Sequence, residues 1–191
     1  MKNLQEFKKK FSGKKAVEVL EILEVTSIPI DIKDILRNKL GIHIDEKMEW
    51  DKLSFDGCVY LKDNYPEIWL NTSMPEGRQN FTLAHELGHI INDILPNIEQ
   101  CHQDVIKDNY ETLYRRGNTD KKEIRANQFA AEFLMPSQFI AQEAKAIVES
   151  KDFKELGLNE VIQRMADRFR VSFDAMKWRL VNLNYISKSK I

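Results

Sequence analysis

Two histidines four residues apart flank a glutamate in the run His85-Glu86-Leu87-Gly88-His89. On a helix such a spacing puts both side chains on one face, one turn apart, so two imidazoles can share one ion. Zinc in a catalytic site takes about three protein ligands and keeps one position for water. Water held there loses a proton near neutral pH. Glu86 lies beside that position and can take the proton, then return it to a leaving amine. These residue types at this spacing therefore point to metal-assisted hydrolysis of a peptide bond. The flanks, Thr82-Leu83-Ala84 and Ile90-Ile91, are uncharged, as a buried helix around a water-excluding site requires. Gly88 points the same way. Glycine inside a helix costs about 1 kcal/mol relative to alanine, so it predicts a close approach by another backbone or side chain at that turn. A surface helix with two incidental histidines would explain neither feature.

A third ligand must come from elsewhere in the chain. The segment from Glu123 to Pro136 carries Ala126, Ala130 and Phe133 at helical spacing, a small-residue stripe that lets two helices pack closely. Glu123 and Asn127 lie one turn apart on the adjacent face. If the stripe packs against the histidine helix, Glu123 reaches the metal. The spacing Asp120-x-x-Glu123 also fits a capping box, and the sequence leaves both readings open. Glu132, a second acidic candidate, faces solvent on that register. Nitrogen and oxygen ligands accept several divalent ions, so one Zn2+ per chain is expected, with Mn2+ as the other candidate. The donor for a developing oxyanion is sought in the polar connection from Asn97 to Asp120, where His102, Tyr110, Tyr114 and Arg115 lie. Cys101-His102 is a weaker metal candidate, and His43 reads as structural.

The elements that must hold these groups follow from periodicity and punctuation. Lys14 to Val25 reads as a helix with a wide apolar stripe. Asp31 caps a short helix from Ile32 to Leu40 that ends at Gly41. Strands are expected at Ile42–Ile44, Phe55–Leu61 and Glu67–Asn71, with a tight turn over Lys62–Pro66. They predict a small antiparallel sheet whose third strand lies near an edge. The metal helix spans about 76–95 and ends at Pro96. The second helix spans about 121–135 and stops at Pro136, after which Ser137 caps another. Two short helices, Asn159 to about Arg170 and Ser172 to about Leu183, close the chain. Ser172 is a good N-cap, and helix, tight turn, helix is the outline of a helix-turn-helix.

The assembled segments now resemble a known family. Arg78-x-x-Phe81-Thr82-Leu83-Ala84-His85-Glu86-Leu87-Gly88-His89, followed by Glu123-x-x-Ala126-Asn127-x-Phe129-Ala130-Ala131-Glu132-Phe133-Leu134-Met135-Pro136, is similar to the paired motifs of the ImmA/IrrE metallopeptidases of bacteria and phages. The resemblance covers roughly Leu40 to Leu183. It implies that His85, His89 and Glu123 are zinc ligands and Glu86 the catalytic base. It also implies a helix-turn-helix transcriptional repressor of a phage, mobile element or stress response as substrate. One departure is that the family often places a Leu-His pair shortly after the second histidine, where this chain reads Ile90-Ile91-Asn92-Asp93. Altered local packing is expected there, with the metal site unaffected.

The fold expected is α+β: a zincin-like metallopeptidase core over residues 1–150 with a small antiparallel sheet, then a C-terminal helix-turn-helix-like module over 151–191 packed on it. A length of 191 residues with 42% hydrophobic and 31% charged residues suits a packed domain. A net charge of -1 makes the whole chain no general attractor for nucleic acid. Two cysteines, Cys58 and Cys101, supply no disulfide framework. The basic start lacks an apolar leader core, and no apolar run approaches the roughly 20 residues a membrane span needs. A cytoplasmic protein is expected, without membrane contact.

Two functions are compatible with these features. One is a zinc endopeptidase, with the substrate added as a strand along Trp69, Leu70 and Asn71. The other is a non-proteolytic, metal-containing protein that binds DNA or a regulator. From Asn159 onward seven basic residues face three acidic ones, which suits phosphate contacts. The apolar spacing of Ile162, Met165, Phe169, Met176 and Leu180 favours ordinary helix packing instead, with Trp178 read as part of that core.

Overall fold

A computed structural model of the chain describes residues 3–48, 55–63, 65–98 and 121–187. It opens on helix α1 (Leu4–Phe11), closed at its start by Asn3, whose side-chain oxygen accepts from the Gln5 and Glu6 amides at 3.1 and 3.2 Å. Phe7 and Phe11 bury its inner face, and Phe7 stacks on Tyr65 with ring centres 5.8 Å apart. This helix was not expected from the sequence, although Leu4, Phe7 and Phe11 carry the spacing that marks one. Helix α2 (Ala16–Ile22) buries Ala16, Val19 and Leu20. Helix α3 (Ile32–Asp34) is capped by Asp31, as expected, and continues through a wide turn at Ile35–Lys39.

Three strands follow: β1 (His43–Asp45), β2 (Gly57–Lys62) and β3 (Tyr65–Leu70). β2 and β3 form a tight antiparallel hairpin, with Gly57 opposite Leu70 and Lys62 opposite Tyr65. β1 pairs with the other side of β3 and runs parallel to it, with His43 opposite Glu67. The order is β1-β3-β2. Two expectations are thereby corrected. The sheet is mixed rather than antiparallel, because the chain between Asp45 and Tyr65 is long enough for the crossover that a parallel pair needs. The third strand is central rather than at an edge. Ile68, Trp69 and Leu70 are at most 1% exposed, and near-continuous burial on both faces marks an interior strand.

Helix α4 (Glu76–His89) carries the histidines and runs on through a wide turn at Ile90–Ile94 and a last turn at Leu95–Asn97. Pro96 does not end it. The helical run reaches Asn97, one residue beyond it. Helix α5 (Lys121–Leu134) lies along α4, and α6 (Ser137–Val148) follows Pro136. Pro136, rather than Ser137, holds the cap position of α6. Helices α7 (Leu158–Phe169) and α8 (Phe173–Asn182) close the chain, and the Ser172 hydroxyl accepts from the Ala175 amide at 3.1 Å as the α8 cap.

Met165, Phe169, Met176 and Leu180 are buried between α7 and α8 and the rest, within one apolar cluster that runs from Phe7 to Ile186. Polar ties also fasten this pair to the core. Arg179 Nε donates to the Met135 carbonyl at 2.9 Å, and Asn80 Nδ2 donates to the Arg170 carbonyl at 2.9 Å. Among the described residues, no helix is long and apolar enough to cross a membrane.

Candidate metal centre

The approach that Gly88 predicts comes from α5. A β-carbon added at Gly88 would lie 3.2 Å from Phe129 Cβ and 3.3 Å from Ala126 Cα. Ala126 and Ala130 are buried in the same seam, as the small-residue stripe requires. That seating brings the first turn of α5 over the histidines. His85 Nε2 and His89 Nε2 are 3.0 Å apart. The Glu123 carboxylate spans both, with Oε2 at 3.2 Å from His85 Nε2 and Oε1 at 3.2 Å from His89 Nε2. The carboxylate is aimed at the imidazoles, and Asp120, the partner in the capping-box reading, lies outside the described residues. Glu132 is elsewhere, accepting from Gln128 at 2.9 Å.

The three donors fit a metal ion. Four ligands at about 2.0–2.1 Å around a tetrahedral ion stand about 3.3 Å from one another, close to the separations observed. Chemistry agrees with geometry. His85 Nδ1 is 3.0 Å from Asn127 Oδ1, and His89 Nδ1 is 2.9 Å from Asp93 Oδ2. Both outer nitrogens thus donate to oxygens, so in the neutral imidazoles both Nε2 atoms would turn lone pairs inward to an ion. Arg125 pairs with the far oxygen of Asp93. The charges around the site favour a cation at its centre. Burial alone would lower the His89 pKa, but hydrogen bonds to Asp93 and Glu123 and the nearby Glu86 push it up to about 10. Burial alone would raise Glu123, but its bonds to His85 and His89 hold it down to about 2. A proton on His89 supplies positive charge where a divalent ion would supply more.

Glu86 is buried at 2% exposure beside this cluster. It lines a cleft of about 940 Å3 together with His85, Glu123 and Asn127. The start of the β2–β3 hairpin forms one wall, where the Arg78 Nε donates to Asp56 at 2.8 Å. The corner between α7 and α8 forms another, with Phe173 and Trp178. Trp178 is 53% exposed on that wall, which corrects its assignment to the core. Tryptophan on α8 simply falls on the side that faces the cleft.

The expected substrate strand is not at this cleft. Trp69, Leu70 and Asn71 are buried, and the Asn71 amide donates to the Phe55 carbonyl at 3.2 Å, tying the hairpin end. His102, Tyr110, Tyr114, Arg115 and Cys101 lie outside the described residues. His43 is exposed on β1 and takes no part in the cluster. Asp93 was missed, and the expectation for its segment is corrected. The Ile90-Ile91-Asn92-Asp93 departure does reach the cluster, because Asp93 is one turn beyond His89. A carboxylate four residues after a ligand histidine was the signal that could have found it.

A helix-rich α+β domain with two histidines and a glutamate converging beside a second glutamate defines a protein of metallopeptidase type. A family model described as the IrrE N-terminal-like domain, peptidase family M78, matches residues 37–181, and the chain belongs to this ImmA/IrrE family of metallopeptidases. Among curated proteins no match was found.

Proposed function

We infer that this chain is a zinc endopeptidase that cuts a protein substrate in the cytoplasm. The reading comprises a zincin-like core over residues 1–150 and a helix-turn-helix-like module over 151–191. The observation that carries it is the convergence of His85, His89 and Glu123 beside Glu86 at the base of an open cleft. A zinc ion held by these three would polarise a substrate carbonyl and bring the pKa of a water near 7. Glu86 takes the proton of the attacking water and delivers it to the leaving amine nitrogen. Phe81, Phe173 and Trp178 give the cleft apolar surface for side chains flanking the cut bond. The proposed substrate, a helix-turn-helix repressor, rests on family membership.

The test is metal analysis with a co-incubation gel, using a small helix-turn-helix repressor encoded beside the gene. Wild type should hold about one metal per chain and cut the repressor. Glu86→Gln should keep the metal and lose cleavage by 100-fold or more, on the order general acid–base catalysis contributes. Normal cleavage by Glu86→Gln would overturn the mechanism. A second reading, binding of DNA without proteolysis, draws on the basic C-terminal segment. Its arginines are largely engaged within the chain: Arg164 to Asp152 at 2.6 Å, Arg168 to Glu143 at 3.3 Å, and Arg179 to Met135. Salt-dependent binding to duplex DNA with no cleavage product would favour that second reading.

A further inference from the structure

The two histidines are held differently, and the difference comes from outside the ligand set. His85 Nδ1 donates to a neutral amide oxygen, that of Asn127, at 3.0 Å. His89 Nδ1 donates to a carboxylate oxygen, that of Asp93, at 2.9 Å. The Asp93 side chain is only 10% exposed, and its other oxygen is paired with Arg125. His89 itself is 3% exposed against 14% for His85. A hydrogen bond from an imidazole to a buried carboxylate orients the ring, fixes the proton on Nδ1 and makes the opposite nitrogen a stronger donor. A bond to an amide does the first two and little of the third.

Both sets of supports are built by the same two helices. Asp93 sits in the wide turn that follows α4, four residues after His89. Arg125 and Asn127 come from the turn of α5 that also carries Glu123. Docking of α5 therefore delivers a ligand, the outer contact of His85 and, through Arg125, the partner of Asp93, whereas Asp93 itself reaches His89 along the same helical run.

We propose that Asp93 and Asn127 are positioning residues for the metal, and that Asp93, held by Arg125, makes His89 the dominant nitrogen donor. The proposal rests on the metallopeptidase reading and deepens it. Asp93→Ala then weakens metal binding by 10- to 100-fold, the range for outer partners of ligand histidines. Asp93→Asn, which keeps an acceptor and removes the charge, weakens it less. Asn127→Ala has the smallest effect of the three.

The experiment measures zinc affinity of the full chain by competition with a chromophoric chelator. It also records the visible absorption of the cobalt(II)-substituted protein and the melting temperature with and without metal. The expected result is lower affinity and an altered cobalt spectrum in the order Asp93→Ala, Asp93→Asn, Asn127→Ala. A merely structural role would lower both melting temperatures equally and leave affinity and spectrum at wild-type values, and that result overturns the proposal. If Asp93→Ala does not fold, the near-isosteric Asp93→Asn decides alone. A wild-type chain that binds neither ion would sink the proposed function and this inference together. Tight wild-type binding with unchanged variants would sink only the inference.

Discussion

Helix α4 carries two glycines that admit a neighbour, and the two neighbours differ. At Gly88 the guest is α5, and an added β-carbon would meet Phe129 Cβ at 3.2 Å and Ala126 Cα at 3.3 Å. At Gly77 the guest is the corner between α7 and α8, and the same atom would meet the Val171 carbonyl carbon at 2.6 Å and the Ser172 nitrogen at 2.7 Å. The first seam brings together the His85, His89 and Glu123 cluster that could hold a metal. The second sets the cleft wall that bears Phe173 and Trp178. The motif glycine is thus the looser of the two, and the tighter contact lies outside any motif. A residue's place in a recognisable pattern does not measure how much packing depends on it.

The largest effect that would test this contrast is Gly77→Ala. Main-chain atoms cannot rotate away, so the corner must shift. We expect a loss of about 3 kcal/mol, the upper range for overpacking. Thermal unfolding should fall by roughly 6–12 °C, at about 2–4 °C per kcal/mol for a chain of this size. An unchanged midpoint would show that the corner yields freely.

Next comes a pH effect confined to the α4–α5 seam. In the metal-free protein the His89 pKa of about 10 lies above its ordinary 6.5, so the stability it carries is complete below pH 6.5 and is lost as pH rises through 10. Glu123, at about 2 against 4.5, loses its share as pH falls through 2. The pair is one interaction seen from two sides. The metal-free melting temperature should therefore decline between pH 6.5 and 10. Replacing Asn80, whose amide tie to Arg170 does not titrate, should not alter that slope. A flat profile would refute the charge arrangement proposed for the seam.

Gly88→Ala should cost between nothing and about 2 kcal/mol. A gain in helix propensity of about 1 kcal/mol offsets overpacking of about 1–3 kcal/mol. Its signature is weaker metal binding, as α5 moves by a few tenths of an ångström; titration against a chelator would detect it. The smallest effect on stability is expected from Trp178→Ala, within about 0.5 kcal/mol for an exposed site. Metal content should hold while the KM for a cleaved substrate rises. An unchanged KM would remove Trp178 from the substrate wall.

The metal helices were legible because their information is local. His85, Glu86 and His89 lie within five residues, and the Ala126–Ala130 stripe announced its own partner through Gly88. The capping of α3 by Asp31 and of α8 by Ser172 was legible for the same reason. The sheet was not. Nothing in β1 or β3 states that they run parallel, since pairing direction depends on the path of the intervening chain. Trp178 looked like core because an aromatic on an amphipathic helix usually is.

By itself the sequence determined which chemistry is available, because helical periodicity turns spacing into direction and brings two imidazoles to one face. Only the tertiary structure decided that Glu123 turns to those imidazoles, that Asn127 holds the outer nitrogen of His85, that Arg125 pairs with Asp93, and that the α7–α8 corner walls the cleft. Glu123, Asn127 and the corner meet α4 from distant parts of the chain. Their contacts depend on how closely helices dock, to fractions of an ångström, and no local pattern encodes that distance.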